Sequence, residues 1–233
     1  MLKDFLGIVG GIGPLATVYF MKRITELTDA KIDQEHINMM VLSNAKTPDR
    51  TEFISGKSQE NPFKELLNCC RILEKAGASL IAIPCNTSHY FYNQLIAQIS
   101  TPIVHFQKET VKSLKDAEIG KVGIMATTGT ISVGLFQTAF AEVGLTCCVP
   151  DAKQQEKVME IIYASVKAGK MPKETTFFEV VDDLFGAGCE KIVLGCTELS
   201  ILKEWFSLDE RFLDPMDVLA RFVIKYFGKK TKE

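Results

Sequence analysis

Long apolar runs are absent from this sequence. No stretch approaches the roughly 18 residues that a membrane-crossing helix needs, so no membrane role is expected. A dominant charge is missing too. The 27 Lys and Arg against 29 Asp and Glu leave a net charge of −2, which gives no basic face for nucleic acid and no polybasic membrane anchor. The seven cysteines include no CxxC and no Cys/His cluster of zinc-finger spacing, so no metal is expected. Their number is odd, and the chain is too long to need a disulfide framework. Reduced thiols in the cytoplasm are the expectation. The opening MLKDFLGIVGGIGPLAT is apolar, but it is rich in glycine and broken by Pro14. It reads as a first buried strand and turn, not as a secretory signal.

What is present is core-forming material: 46% of the 233 residues are hydrophobic. Short apolar runs predict strands at Leu6–Gly10, Ile37–Ser43, Leu80–Pro84, Pro102–Val104, Val122–Ala126, Leu145–Val149 and Ile192–Gly195. Between them lie helical patterns, such as Phe63, Leu66, Leu67, Cys70 and Leu73, then Phe136, Ala139, Phe140 and Val143. A last pattern, Val218, Leu219, Phe222 and Tyr226, opens at Pro215, where proline suits a helix start. This alternation predicts parallel βαβ units and an α/β fold.

The chain also repeats itself. Ala76-Gly77-Ala78-Ser79-Leu80-Ile81-Ala82-Ile83-Pro84-Cys85 matches, without a gap, Ala187-Gly188-Cys189-Glu190-Lys191-Ile192-Val193-Leu194-Gly195-Cys196. Gly7-Ile8-Val9-Gly10-Gly11 is echoed at a similar offset by Gly123-Ile124-Met125-Ala126-Thr127. Two similar parallel-sheet domains related by a pseudo-two-fold axis follow. The expected division is residues 1–104 with about 209–233, where the final helix returns to the first unit, and residues 105–208 for the second.

Open parallel sheets bind ligands beyond the carboxyl ends of their strands. In the first half those ends carry Gly10-Gly11-Ile12-Gly13-Pro14, Ser43-Asn44 with a loop bearing Arg50, and Cys85-Asn86-Thr87. In the second half they carry Thr127-Thr128-Gly129-Thr130 and Cys196-Thr197-Glu198. If the units face each other, Cys85 and Cys196 enter one cleft from opposite sides. Two thiols flanking a carbon can invert a stereocentre, one as thiolate base and the other as thiol acid. Backbone N–H groups at each strand-to-helix turn favour thiolate or carboxylate. Asn86, Thr87, Thr128 and Thr197 can join them on a substrate carboxylate. Arg50, with Lys167, can take a second carboxylate.

Plainer readings stand beside these. Gly11-x-Gly13-x-x-Ala16 fits a dinucleotide fingerprint, but the second strand ends in Ser43-Asn44-Ala45, without the acid that a ribose needs, and Pro14 intrudes on the turn. Cys85 and His89 alone do not make a zinc site. His89 is expected to pack or hydrogen-bond behind Cys85, and His36 and His105 to be satisfied strand-end residues. Cys69, Cys70, Cys147, Cys148 and Cys189 read as small buried hydrophobes. On spacing alone Arg50 and Lys167 are ordinary surface cations, and Glu198 is a helix-dipole residue. The terminal Lys229-Lys230-Thr231-Lys232 reads as a solvated tail.

Several motifs together resemble the aspartate racemase branch of the aspartate/glutamate/hydantoin racemase superfamily. They are Gly10-Gly11-Ile12-Gly13-Pro14-Leu15-Ala16-Thr17, Pro48-Asp49-Arg50-Thr51, Pro84-Cys85-Asn86-Thr87-Ser88-His89 and Gly195-Cys196-Thr197-Glu198-Leu199. Ile161-Ile162-Tyr163-Ala164-Ser165-Val166-Lys167-Ala168-Gly169 looks like the same branch. The resemblance implies two α/β domains, a pyridoxal-free two-cysteine mechanism on a small amino acid, no cofactor, and a homodimer. It implies Cys85 and Cys196 as the acid/base pair, and Arg50 and Lys167 on the distal carboxylate. It places Asn86, Thr87, Thr128 and Thr197 around the amino-acid head, and Gly11, Thr127 and Glu198 are further candidate substrate-binding residues. Glutamate racemases carry Cys-Thr-His in the second motif; Glu198 in place of that histidine favours the aspartate type. The competing expectations are an amino-acid sensor with a racemase-like cleft, a one-thiol isomerase or decarboxylase and, last, a dehydrogenase.

Overall fold

The computed structural model describes residues 4–114 and 119–232. The first sheet holds β1 (Leu6–Gly10), β2 (Met39–Ser43) and β3 (Leu80–Ala82), all parallel, in the order β2-β1-β3. The second holds β4 (Lys121–Met125), β5 (Thr146–Cys148), β6 (Lys191–Leu194) and β7 (Phe212–Leu213), also parallel, in the order β5-β4-β6-β7. The expected strand at Pro102–Val104 shrinks to one parallel bridge, Ile103 beside Ile81. It occupies the place in the first sheet that β7 takes in the second. Two parallel sheets with the same strand order are the fold that the internal repeat predicts. β7, two residues long, left no periodic signal in the sequence.

Helices fill the connections. Those of the first unit are α1 (Pro14–Leu27), α2 (Arg50–Ile54), α3 (Phe63–Ala76) and α4 (Tyr92–Ile96). Then come α5 (Phe106–Lys112), α6 (Thr128–Ser132), α7 (Leu135–Ala141), α8 (Ala152–Met159), α9 (Glu174–Gly186), α10 (Thr197–Trp205) and α11 (Pro215–Tyr226). Central strands are buried on both faces, as parallel sheets require. Leu6 and Ile8 of β1 point into a large core shared with α1, α9, α10 and α11, while Val9 points into a second core under α3. Ile124 and Val122 of β4 face a third core with Phe136 and Phe140 of α7.

The final helix does lie on α1, and it also touches α5. Its buried stripe is Met216, Leu219, Ala220, Val223 and Ile224. That is a face turned from the expected one: of the residues read as apolar contacts only Leu219 is buried, and Tyr226 is exposed. Tyr226 instead donates its hydroxyl to Ser79 O at 3.1 Å. The terminal lysine run is not free either. Asp29 N donates to Lys230 O at 2.9 Å and Lys232 N to Leu27 O at 2.8 Å, which ties the tail's backbone to the end of α1.

Candidate active site

Both repeated cysteines leave their sheets at a carboxyl edge. Cys85 follows β3 and precedes a short 3-10 turn, Thr87–Phe91. Cys196 follows β6 and is the N-cap residue of α10. Both are buried, and both line one small pocket between the units. Asn86, Thr87 and Arg50 reach the same pocket from the first unit. Thr127, Lys167, Thr197 and Glu198 reach it from the second. Its free volume is about 10 Å³, room for one water. An open vestibule of about 400 Å³ lies outside it. Ile12, Arg50, Lys167 and Glu198 border both spaces, so an incoming molecule passes these four side chains.

The two thiols meet opposite charges. The Arg50 guanidinium lies against Cys85. Burial works against that charge, but the Cys85 sulfur and Asp49 more than offset it, and the Arg50 pKa is raised. Arg50 is only 7% exposed. Nη1 donates to Pro48 O at 3.0 Å and Nε has no partner. Cys196 donates instead to the Glu198 carboxylate, Sγ to Oε2 at 2.9 Å. Burial and then the Glu198 charge push the Cys196 thiol well above its ordinary pKa, against a smaller pull from Lys167. Cys196 is therefore held as a proton donor, and Cys85 sits beside a cation that can pair with a thiolate.

Lys167 is delivered by a change of helix type. After α8 the chain widens into a π turn, Glu160–Ser165, then tightens into a 3-10 turn, Val166–Ala168, closed by Gly169 at φ +71°. Such π segments often sit at functional sites. The Lys167 side chain is 23% exposed, and its Nζ is 3.4 Å from Asp49 Oδ2. The same ammonium lies 4.1 Å from the Tyr163 ring centroid. Burial opposes its charge, yet Glu198, Tyr163, Cys196 and Asp49 outweigh that and raise its pKa. Tyr163 donates to Asp49 Oδ2 at 3.0 Å, and burial pushes its phenol up to about 12. Asp49 is also the N-cap of α2, accepting from Thr51 N and Glu52 N. One carboxylate thus starts the Arg50 helix and ties it to the Lys167 segment.

Four hydroxyls join the units behind the cysteines. Thr51 donates to Thr127 Oγ1 at 3.1 Å, and Thr87 lies 2.8 Å from Thr130 Oγ1 and 3.2 Å from Thr127 Oγ1. Gly129 makes this contact feasible, since a Cβ there would stand 2.9 Å from Thr51 Cα. Thr128 is not brought to the cysteine pocket. As the first residue of α6, after the cap Thr127, it turns outward and lines a separate hollow with Met159. Gly11 lines the vestibule only, and its φ of +83° lets it pass within contact of Asn44 backbone. Thr51, Tyr163 and Ile12 line the pocket although no role was read for them. They lie inside the quoted motifs, but nothing in their spacing separates them from structural neighbours.

The histidines divide. His89 Nδ1–H donates to Cys85 O at 3.0 Å, and its Nε2 accepts from Phe106 N at 3.2 Å. Burial lowers its pKa, which suits that neutral form, so it braces the cysteine turn from behind. His105 caps α5 by accepting from Lys108 N. His36 departs from expectation: its buried Nδ1 has no partner. Of the remaining cysteines, Cys69, Cys70 and Cys189 are buried, while Cys147 and Cys148 are half-buried.

Comparison with known proteins identifies the family and the fold. Residues 9–223 match the Asp/Glu/hydantoin racemase family. The chain is similar to the broad specificity amino-acid racemase RacX of Bacillus subtilis, 24% identical over 95% of this chain and 97% of that protein. The solved aspartate racemase of Picrophilus torridus superposes with a TM-score of 0.83 at 27% identity, covering 98% of this chain and 96% of that one. Glutamate racemase of Francisella tularensis, solved with D-glutamate, shares the fold with a TM-score of 0.71 at 17% identity, over 97% of this chain and 81% of that one. The chain belongs to the Asp/Glu/hydantoin racemase family.

Proposed function

We propose that this protein is an amino-acid racemase that moves protons with Cys85 and Cys196 alone, and that its substrate is acidic, aspartate first. The observation that carries the reading is one buried pocket lined by two thiols from opposite units, one beside a cation and one bonded to a carboxylate. In the proposed reaction the Cys85 thiolate takes the Cα proton and becomes a thiol. The Cys196 thiol gives its proton to the opposite face of the carbanion and becomes a thiolate. No atom is gained or lost overall, and the reverse reaction starts from the exchanged protonation. Asn86, Thr87, Thr127 and Thr197 are assigned to the amino-acid head. Arg50, with its unpartnered Nε, and Lys167 are assigned to the distal carboxylate. Glu198 keeps Cys196 protonated until it is used.

The pocket has room for one water only, so the proposed reaction has the units part to admit substrate and then close to exclude water from the carbanion. The moving units follow the expected division, residues 1–104 with about 209–233 against 105–208, except that the second boundary shifts to Leu213 because β7 pairs with β6 in the second sheet. A homodimer is proposed on the family resemblance alone. The second reading is a racemase of wider specificity, glutamate included, which the similarity to RacX favours. Proton NMR in D₂O separates these. Purified protein with reductant and no cofactor is given L-aspartate, L-glutamate and a panel of neutral amino acids. Loss of the Cα–H signal with appearance of the D-isomer, fastest for aspartate, is expected. Exchange spread evenly over the panel establishes the wider reading, and no exchange with any amino acid removes both.

A further inference from the structure

Asn86 and Gln107 form a buried amide pair at the junction of the two units. Gln107, in α5, is fully buried and lines no part of the cysteine pocket. Its Nε2 donates to the backbone carbonyl of Asn86 at 3.2 Å and to Asn86 Oδ1 at 3.1 Å. A carbonyl can only accept, so the Gln107 amide must present its nitrogen to Asn86. Both of its N–H bonds are then spent on that residue. Asn86 must in turn present Oδ1 to Gln107, which leaves Nδ2 on the other end of its carboxamide. That nitrogen is buried and has no partner among the described residues, and Asn86 lines the cysteine pocket. A buried amide nitrogen without an acceptor costs stability; Gln107 Oε1 is also without a partner, but only the Asn86 amide belongs to a residue that lines the pocket, where a ligand can meet it.

We infer that Gln107 is a positioning residue: it fixes the polarity of the Asn86 carboxamide so that N–H donors, not an acceptor, face the substrate carboxylate. What those donors meet rests on the racemase reading; the orientation itself rests on the hydrogen bonds alone. Without Gln107 the carboxamide can turn over and offer Oδ1 to an anion, which repels it. The neighbouring Asn86 carbonyl also accepts from His89 N at 3.0 Å, so the turn backbone stays anchored when Gln107 changes.

The test uses Gln107→Leu, with Gln107→Met as a second variant of similar length and Gln107→Glu as a polarity control. With L-aspartate, or whichever amino acid the wild type turns over, KM is expected to rise about tenfold in the Leu and Met variants, the scale of one charge-assisted hydrogen bond. The kcat should hold within about threefold, the pattern of lost ground-state binding, while Tm falls by a few degrees as Asn86 Oδ1 loses its donor. The Glu variant, which accepts where Gln107 donated, should raise KM further. In a ¹⁵N spectrum the Asn86 side-chain amide resonance, assigned through Asn86→Asp, should move on adding L-aspartate to the wild type and not to the Leu variant. A wild type whose Asn86 resonance moves without Cα–H exchange ends the racemase reading and leaves Gln107's role standing. A resonance that ignores the amino acid, or one that moves equally in the variants, overturns the inference. So does a joint fall in kcat and Tm with KM unchanged.

Discussion

Replacing Glu198 by glutamine tests the asymmetry between the two thiols directly. The glutamine side chain can keep an oxygen for the Cys196 Sγ–H while losing the charge. Glu198 Oε2 lies 2.9 Å from Cys196 Sγ, and Lys167 acts on the same sulfur with the opposite sign. Two unit charges about 4 Å apart interact by roughly 4 kcal/mol at an effective dielectric near 20. Glu198 opposes the thiolate, so its removal must lower the Cys196 pKa. The Cys196 pKa should therefore fall, and water admitted when the units part should soften that fall. The assay is alkylation of Cys196 by iodoacetamide across pH, read at that cysteine by mass spectrometry in a Cys85→Ser background. The alkylation midpoint should move to lower pH in Glu198→Gln. The basic limb of the racemisation pH profile should move the same way, because Cys196 stops being a thiol sooner. Enantiomers interconvert with an equilibrium constant of one, so kcat/KM must fall equally in both directions. An unmoved or raised alkylation midpoint would refute the claim that Glu198 holds the Cys196 proton.

Three further outcomes follow from the geometry. Arg50→Lys keeps a charge but not the planar fork against Cys85; kcat/KM should fall roughly 10- to 100-fold with little change in Tm, and wild-type kinetics would detach Arg50 from the site. Asp214, buried and bonded to Ser200 Oγ and Tyr19 Oη, is pushed up to about 6 by burial and then by Asp217. Its folded pKa exceeds the unfolded value near 3.9, so its stabilising contribution is complete below about pH 4 and lost as pH rises through 6. Asp214→Asn should therefore gain stability relative to wild type across that window in denaturant titrations, and a constant difference would refute the assignment. Gly129→Ala places a Cβ 2.9 Å from Thr51 Cα; forcing the units apart there should cost about 1–3 kcal/mol, read as a Tm loss of about 2–4 °C per kcal/mol, and an unchanged Tm would show that the junction yields freely.

The parts of this molecule that were legible in the sequence are those with a period or a repeat. Alternating apolar runs located most strands, and the Ala-Gly repeat placed Cys85 and Cys196 at equivalent strand ends. The rest depended on single contacts. β7 is too short to show alternation, and Pro102–Val104 pairs through one residue because only Ile103 meets Ile81. The α11 stripe was misplaced because both faces of that helix carry large apolar residues, and α1 and α5 decide which one is covered. Thr128 was grouped with the site by its neighbours, yet one residue of helical rotation separates it from the buried Thr127. Gln107 carries no motif at all: its role exists only because α5 brings it to Asn86.

Duplication alone does not make a proton-transfer site. Two equivalent thiols in one dry pocket would titrate alike, and the site would lack a defined base and acid. The fold supplies equivalent strand ends and therefore equivalent backbone dipoles. In the proposed mechanism the difference comes from side chains outside the repeat. Arg50 arrives on α2, whose cap is Asp49, and lies against Cys85. Glu198 sits two residues after Cys196 in the first turn of α10, where the matching position after Cys85 is Thr87. Lys167, on the π and 3-10 turns after α8, reaches the Asp49 that starts the Arg50 helix. The charges that distinguish the thiols thus also bridge the units. In the proposed reaction, parting the units to admit substrate would stretch the Asp49–Lys167 contact, and a substrate carboxylate between Arg50 and Lys167 would replace it. In the proposed mechanism, closure and the assignment of acid and base would be a single electrostatic event.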